Sequence, residues 1–489
     1  MQRIIFTILL LANCCYLFPQ DSYVKVYDFL ASVKTEKLEI YRDRIYAINS
    51  QFCNSSECSL LIELNSEGDT LWTTLIPDID VAPGSMVIVN DTITITGNND
   101  SLNTSWRMAH FSLDGEKLGE TITIEHPNRK FTKMFQLSTE YFNHKYAICG
   151  SGWDGDTILS LIYIVDSKGE IDTLITLAGS DRLTACWDSY IDFNGRLTTY
   201  HWVEFDDSAI NYRQIIKFDT NYNKVWTYRS ENSQYNSVVP NGCELIDGSS
   251  IMSYTNPEGI EDIHSVRAIK ADKTIGWQYN WGVSPYKVRY ILRLKTLRNG
   301  DVMGSGYYSE NLQNIRLSPW LFRLSPEGEL LWSRTYVDVD SINNLSRRGA
   351  LFDFIEFENG DLMAVGYLNY ENSDMLIMRL DSNGCIDPLS CEEINIIDIL
   401  TDINEISFIK NSSLKIYPNP AFDFVKVEFP QIQNSTDVKI YSTTGQVKIE
   451  CQMTFGQSEF EISTLPPGLY IISIQLAGRV LAIRKFVKI

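Results

Sequence analysis

An all-β chain is predicted by three observations: a pattern recurring about every fifty residues, a hairpin signal before each copy, and alternating segments at the C-terminal end. The recurring pattern is an apolar strand, a tight Gly turn and then usually a Trp. It is clearest from Leu61 through Gly68 to Trp72 and from Leu321 through Gly328 to Trp332. The Trp phase falls at Trp72, Gly119, Thr173, Trp226, Trp277, Trp332 and Pro388, at intervals of 47, 54, 53, 51, 55 and 56 residues. Each copy holds four short strands, the content of one antiparallel meander. Seven copies predict a seven-bladed β-propeller of four-stranded blades, followed by a small Ig-like β-sandwich.

The hairpin signal lies some 16 to 20 residues before each copy and is clearest in Asn299–Gly306 and Asn359–Gly366. Related turns stand at Asp43, Asn90-Asp91, Asn143, Asn194-Gly195 and Asp247-Gly248. The seventh repeat stops at Leu380–Gly384 without a fourth strand. Tyr23–Leu30 lies 19 residues before Asp43, as Trp72 lies 19 before Asp91, so it occupies the missing phase. This predicts that the N-terminal strand completes the last blade and leaves no open sheet edge. The expected organisation is a propeller over 21–391, an acidic-apolar linker over 392–413 and the sandwich over 414–489.

Composition excludes several partner classes. Hydrophobic residues make up 44% of 489, enough for real cores. The 42 Lys and Arg against 62 Asp and Glu give a net charge of −20, which repels nucleic acid and anionic lipid. Residues 1–20 read as a signal peptide: Met1-Gln2-Arg3, an apolar run from Ile4, and a polar exit near Gln20. The 15 residues from Ile4 to Phe18 fall short of the ~20 that span a bilayer, and no later segment reaches that length. A lipoprotein reading at Leu11-Ala12-Asn13-Cys14 ranks second.

Of the ten Cys, Cys14 and Cys15 leave with the signal peptide. Cys53 with Cys58, and Cys385 with Cys391, lie close enough to form disulfides in an exported chain. Zinc fits these spacings less well, since neither is Cys-x-x-Cys and no His pair lies nearby. Cys149, Cys186, Cys243 and Cys451 have no partner evident in the sequence.

In a meander the first-to-second and third-to-fourth turns share one rim, and these are tight. The other rim carries longer loops with aromatic residues beside acids and amides, a mixture suited to sugar rings. Its ligand-binding candidates are Trp153, Trp202, Tyr307 and Tyr367; aromatic residues that merely pin loops explain them about as well. For catalysis the candidates are His201, Glu204 and Asp206, read as rim residues that could serve acid/base chemistry. Asp154, Asp156 and Asp207 lie among the same loops, and the cluster could hold calcium, although no complete calcium loop occurs and no other metal or cofactor is expected. The turn-Gly-x-x-x-Trp element resembles the repeats of quinoprotein-like propellers, a structural likeness in which the Trp packs between blades. No cofactor box or serine-hydrolase elbow accompanies it.

The C-terminal segment runs Leu414-Lys-Ile-Tyr417-Pro418-Asn419-Pro420, Val425–Phe429, Val438–Gln446 with Gly445, Leu465–Ile474 with Gly468, and Arg484–Ile489. In this order the five pieces resemble the type A C-terminal sorting domain of the type IX secretion system. The resemblance implies engagement of the type IX machinery, outer-membrane translocation, removal of the domain, and release or anchoring at the surface. The expected protein is therefore a secreted or surface-anchored propeller that binds a glycan or a protein. The competing expectation is a secreted carbohydrate-active hydrolase or lyase using the long-loop rim.

Overall fold

The computed structural model describes residues 22–488, apart from 28–32, 54–55, 83, 99–104, 126–132, 155–156, 178–182, 205–210, 232–240, 257–262, 282–287, 310–316, 341–344, 347, 370–372, 387–390, 392–393, 398–414, 429–435, 443–446, 454–456 and 477–478. The proposed signal peptide, Asp206 and Gly445 lie outside the described residues.

Seven four-stranded antiparallel meanders follow one another along the chain. Their innermost strands are Val33–Tyr41, Met86–Val89, Lys133–Phe142, Leu183–Ile191, Gly242–Glu244, Val288–Thr296 and Arg348–Glu356, for blades 1 to 7. The seventh chain segment supplies three strands. Tyr23–Tyr27 adds the fourth, antiparallel to Ser373–Leu380, in a register that opposes Tyr23 to Arg379 and Tyr27 to Met375. The first and last blades are thus stitched together by the chain itself.

Turn chemistry explains why the repeat is legible in some blades and faint in others. Blades 1 to 3 close their first hairpin with Arg42-Asp43, Asn90-Asp91 and Asn143-His144, all six residues at positive φ, as a two-residue type I′ turn demands. Blades 4 to 7 place Gly195, Gly248, Gly300 and Gly360 there instead. At the third-to-fourth turn Tyr222 and Lys273 take left-handed φ of 64° and 70°, the positions where the other five repeats have Gly.

Each blade junction has its own apolar core. Blades 1 and 2 share Tyr46, Ile48, Leu61 and Ile76 with Met86, Ile93, Ile95 and Phe111. Blades 7 and 1 share Met363, Val365 and Ile377 with Val33, Leu38, Ile45 and Ile62, which closes the ring. Fully burying one such side chain stabilises by roughly 1.5–3 kcal/mol. The repeating Trp packs across a junction against the turn Gly of the next blade: Trp72 lies on Gly115, Trp277 on Gly328 and Trp332 on Gly384, each too close to leave room for a Cβ. Trp277 Nε1 also donates to Pro326 O at 2.8 Å.

Cys385 and Cys391 form a disulfide. Cys58 is disulfide-bonded, while the side chain of Cys53 lies outside the described residues. Within 392–413, Ile394–Ile397 forms a strand that runs parallel to Leu330–Asp340 on the outer edge of blade 6.

The C-terminal segment folds as two sheets. One orders Lys415–Tyr417, Phe424–Glu428 and Gln457–Glu461; the other orders Val447–Met453, Thr436–Ser442, Gly468–Leu476 and Arg479–Lys488. Val425, Val427 and Phe460 from the first pack on Val438, Ile440, Ile472, Ile474 and Phe486 from the second.

Candidate functional site at the propeller axis

The innermost strands depart from regularity at one common point. A bulge interrupts pairing between Thr35 and Lys37, Gln136 and Ser138, Cys186 and Asp188, Ile291 and Arg293, and Leu351 and Asp353. The extra residues are Glu36, Leu137, Trp187, Leu292 and Phe352. Bulges of this kind redirect side chains and gather beside sites. The residue after each bulge is polar: Lys37, Ser138, Asp188, Arg293 or Asp353. In blades 2 and 5 the same place, just before the first strand, is taken by Ser85 and Asn241.

These polar residues build a belt from blade to blade. Lys37 Nζ donates to Met86 O at 2.6 Å, and Thr139 N donates to Gly84 O at 3.0 Å. Ser138 Oγ and Ser189 Oγ are 2.7 Å apart, and Gly242 N donates to Asp188 Oδ2 at 3.3 Å. Asn241 Nδ2 donates to Ile291 O at 2.9 Å, and Lys295 Nζ reaches Phe354 O at 2.7 Å and Asp353 Oδ1 at 2.6 Å. Leu38 N donates to Asp353 Oδ2 at 2.9 Å, returning to blade 1.

One cation crosses the axis. Arg293 Nη1 of blade 6 pairs with Asp188 Oδ1 of blade 4 at 3.0 Å, and its Nε lies 3.9 Å from Asp353 Oδ1 of blade 7. Its charge also acts on Glu36 of blade 1 and Glu140 of blade 3. Burial raises the Asp188 carboxyl above its ordinary range, with Arg293 opposing. Asp353 is also buried, yet Lys295 and Arg293 hold its pKa below the ordinary value. Glu36 and Glu140 have less compensation, and burial pushes each up to about 7.

Glu36 is 6% exposed. Its Oε1 accepts from Ser50 Oγ at 3.0 Å, whereas its Oε2 is buried with no partner among the described residues. The Trp187 Nε1 donor, at the equivalent bulge of blade 4, is likewise buried without one. On the long-loop side stand half-buried aromatic rings. Tyr290 stacks on Tyr307 at 4.8 Å and 21°, Phe352 lies 5.9 Å from Tyr367, and Lys34 Nζ is 6.0 Å from the Tyr367 ring centre. Burial, reinforced by Tyr290 and Tyr367, raises the Tyr307 hydroxyl far above its ordinary range.

The sequence-based candidates are dispersed. Tyr307 and Tyr367 come together on blades 6 and 7, near the ends of their strands. Trp153 and Trp202 sit half-buried in Lys145–Asp154 of blade 3 and Leu197–Glu204 of blade 4. Glu204 is the half-buried last residue of the latter strand. His201, expected on a rim loop, is instead fully buried in that strand. Ser160 Oγ meets its Nδ1 at 3.0 Å and Thr199 Oγ1 its Nε2 at 2.7 Å. Burial, aided by Lys224, lowers its pKa to about 3, so the ring is neutral. The axial group of Glu36, Glu140, Asp188, Arg293 and Asp353 escaped sequence reasoning, although a polar residue at one fixed phase of every repeat was a signal for it.

Residues 415–489 match the family described as the secretion system C-terminal sorting domain. This tail directs the chain through type IX export to the cell surface. Among the described residues no helix is long and apolar enough to cross a membrane. No curated protein matches the chain. Among solved structures, the chain is similar to a protein of unknown function from Bacteroides caccae, at 12% identity, TM-score 0.35, and coverage of 62% of this chain and 94% of that one. It is similar to polysaccharide lyase Uly1 at 9% identity, TM-score 0.45, and coverage of 71% and 90%. A protein of unknown function from Dyadobacter fermentans gives 10% identity, TM-score 0.42, and coverage of 74% and 98%. At these scores the likenesses say nothing about activity.

Proposed function

We propose that this exported chain is a surface binding protein that takes its ligand, a glycan or a protein, at the long-loop mouth of the axis. The observation that carries the reading is the meeting of aromatic faces from blades 6 and 7 with Lys34 of blade 1, beside a buried carboxylate oxygen that lacks a partner. Flat aromatic faces cover the C–H faces of sugars, and polar groups at their edge select hydroxyls. The mouth geometry favours the glycan.

The test is capture of glycans by the full chain on an array, with and without calcium. Tyr307→Ala and Tyr367→Ala are expected to weaken capture at least tenfold, at about 1.4 kcal/mol per factor of ten. Retained capture in both variants rejects the site.

A second reading, a carbohydrate-active hydrolase or lyase, is favoured by Glu140 and Asp188, two carboxyls with raised pKa that act on each other across adjacent blades. It predicts release of sugar ends that Glu140→Gln abolishes while capture persists.

A further inference from the structure

The belt bears on which part of a glycan the mouth can hold, an inference that rests on the binding reading above. The cross-axis pair of Arg293 with Asp188, and the pair of Lys295 with Asp353, lie on the axis below the bulges, toward the tight-turn rim. Both are largely removed from water: the Asp188 and Asp353 side chains are 6% and 0% exposed. Opening the axis would strand these charges, at a cost that forbids it under native conditions. A chain molecule therefore cannot thread through, and whatever enters from the long-loop side meets a floor.

Just above that floor lie two unmet hydrogen-bonding atoms of opposite kind. Glu36 Oε2 is an acceptor and Trp187 Nε1 a donor, both buried and both without a partner among the described residues. They occupy the same bulge position on the innermost strands of blades 1 and 4. Unsatisfied buried polar atoms cost free energy that a ligand recovers by pairing with them. A sugar hydroxyl is both donor and acceptor, and aromatic rings already line the way in.

We infer that the axial mouth is a blind pocket that recognises the terminal residue of a glycan, not an internal segment, with hydroxyls of that residue on Glu36 and Trp187. A terminal ring enters end-on and stacks between the Tyr290/Tyr307 and Phe352/Tyr367 faces. An internal segment, continuing at both ends, would have to leave through the floor or lie across the mouth without reaching the bulge tier.

The experiment uses the full chain on an array of linear oligosaccharides tethered at their reducing ends, competed in solution by linear or by cyclic oligosaccharides of the same sugar. Linear competitors are expected to displace the chain, and cyclic ones to be at least about tenfold weaker. Glu36→Gln is expected to weaken capture about tenfold and Trp187→Phe roughly fivefold, as loss of one charge-assisted and one neutral hydrogen bond implies. The two substitutions act independently, so a folding failure in one leaves the other informative. Cyclic competitors as effective as linear ones, with Tyr307→Ala still abolishing capture, would overturn this inference and leave the binding reading standing. Capture by both variants at the parent's strength overturns it equally. An array blank for the parent chain overturns both.

Discussion

Arg293 and Asp188 are 105 residues apart and form an ion pair of 3.0 Å that spans two blades of the ring. The pair is a local consequence of two bulges at one phase and a global lock on the axis. Its removal should be costly because the partners stay behind. Arg293→Met leaves Asp188 and Asp353 without their shared cation and should destabilise by about 3–5 kcal/mol, whereas Arg293→Met with Asp188→Asn should recover part of the loss. Urea unfolding of the three chains measures this, and equal stability of the double and single variants would refute the lock.

Ring closure rests on one short strand. Tyr27 is buried, and its hydroxyl donates to Gly68 O of blade 1 at 2.6 Å while its backbone pairs with Met375 of blade 7. Tyr27→Phe should cost about 1 kcal/mol and Tyr27→Ala about 3–5 kcal/mol. Deleting residues 21–27 exposes the edge of Ser373–Leu380 and should drive self-association, visible as an increased mass in size-exclusion chromatography with light scattering.

Much of this architecture could be read from the chain because turns advertise themselves. Gly68 and Gly328 before Trp72 and Trp332 set the period, and the phase of Tyr23 located a fourth strand. The copies that were faint are those where Tyr222 and Lys273 hold left-handed φ without Gly, or where Thr173 stands in place of Trp. The axial site was less legible for a physical reason. A bulge costs one residue and leaves no composition signal, so Asp188 and Arg293 look like ordinary polar residues in strands. His201 misled in the opposite direction: its acidic and aromatic neighbours suggest a loop, yet Ser160 and Thr199 satisfy the ring inside the sheet.

The buried carboxyls predict a pH dependence with a definite sign. Glu36 titrates at about 7 in the folded chain against an ordinary 4.5. Between those values the folded state binds more protons than the unfolded one. Its contribution is therefore complete below pH 4.5 and lost as the pH rises to about 7. The span amounts to roughly 3 kcal/mol. His201, lowered to about 3, gives the opposite slope at acid pH, so the informative quantity is the difference between the parent and Glu36→Gln. Relative to the parent, the variant should gain stability between pH 5 and 8 in urea unfolding; a constant difference contradicts the assignment.

The tail yields the last prediction. Asn419 Oδ1 accepts from Val487 N at 2.9 Å, and Ala421 N donates to Val487 O at 2.8 Å. The final strand also pairs through Lys488 with Gly468. Three sequence pieces far apart in the tail, Tyr417–Pro420, the turn before Gly468 and the terminal strand, thus meet at one place. The turn holds the end of the chain against the sandwich, presenting a fixed surface to the export machinery instead of a frayed strand. Asn419→Ala should lower the stability of the tail by about 1 kcal/mol. It should also reduce the exported fraction, with Asn419→Asp, which keeps the acceptor, restoring both. Fractionation of periplasm, cell surface and medium reads the outcome. Normal export of Asn419→Ala would show that the pinned end is not what the machinery recognises.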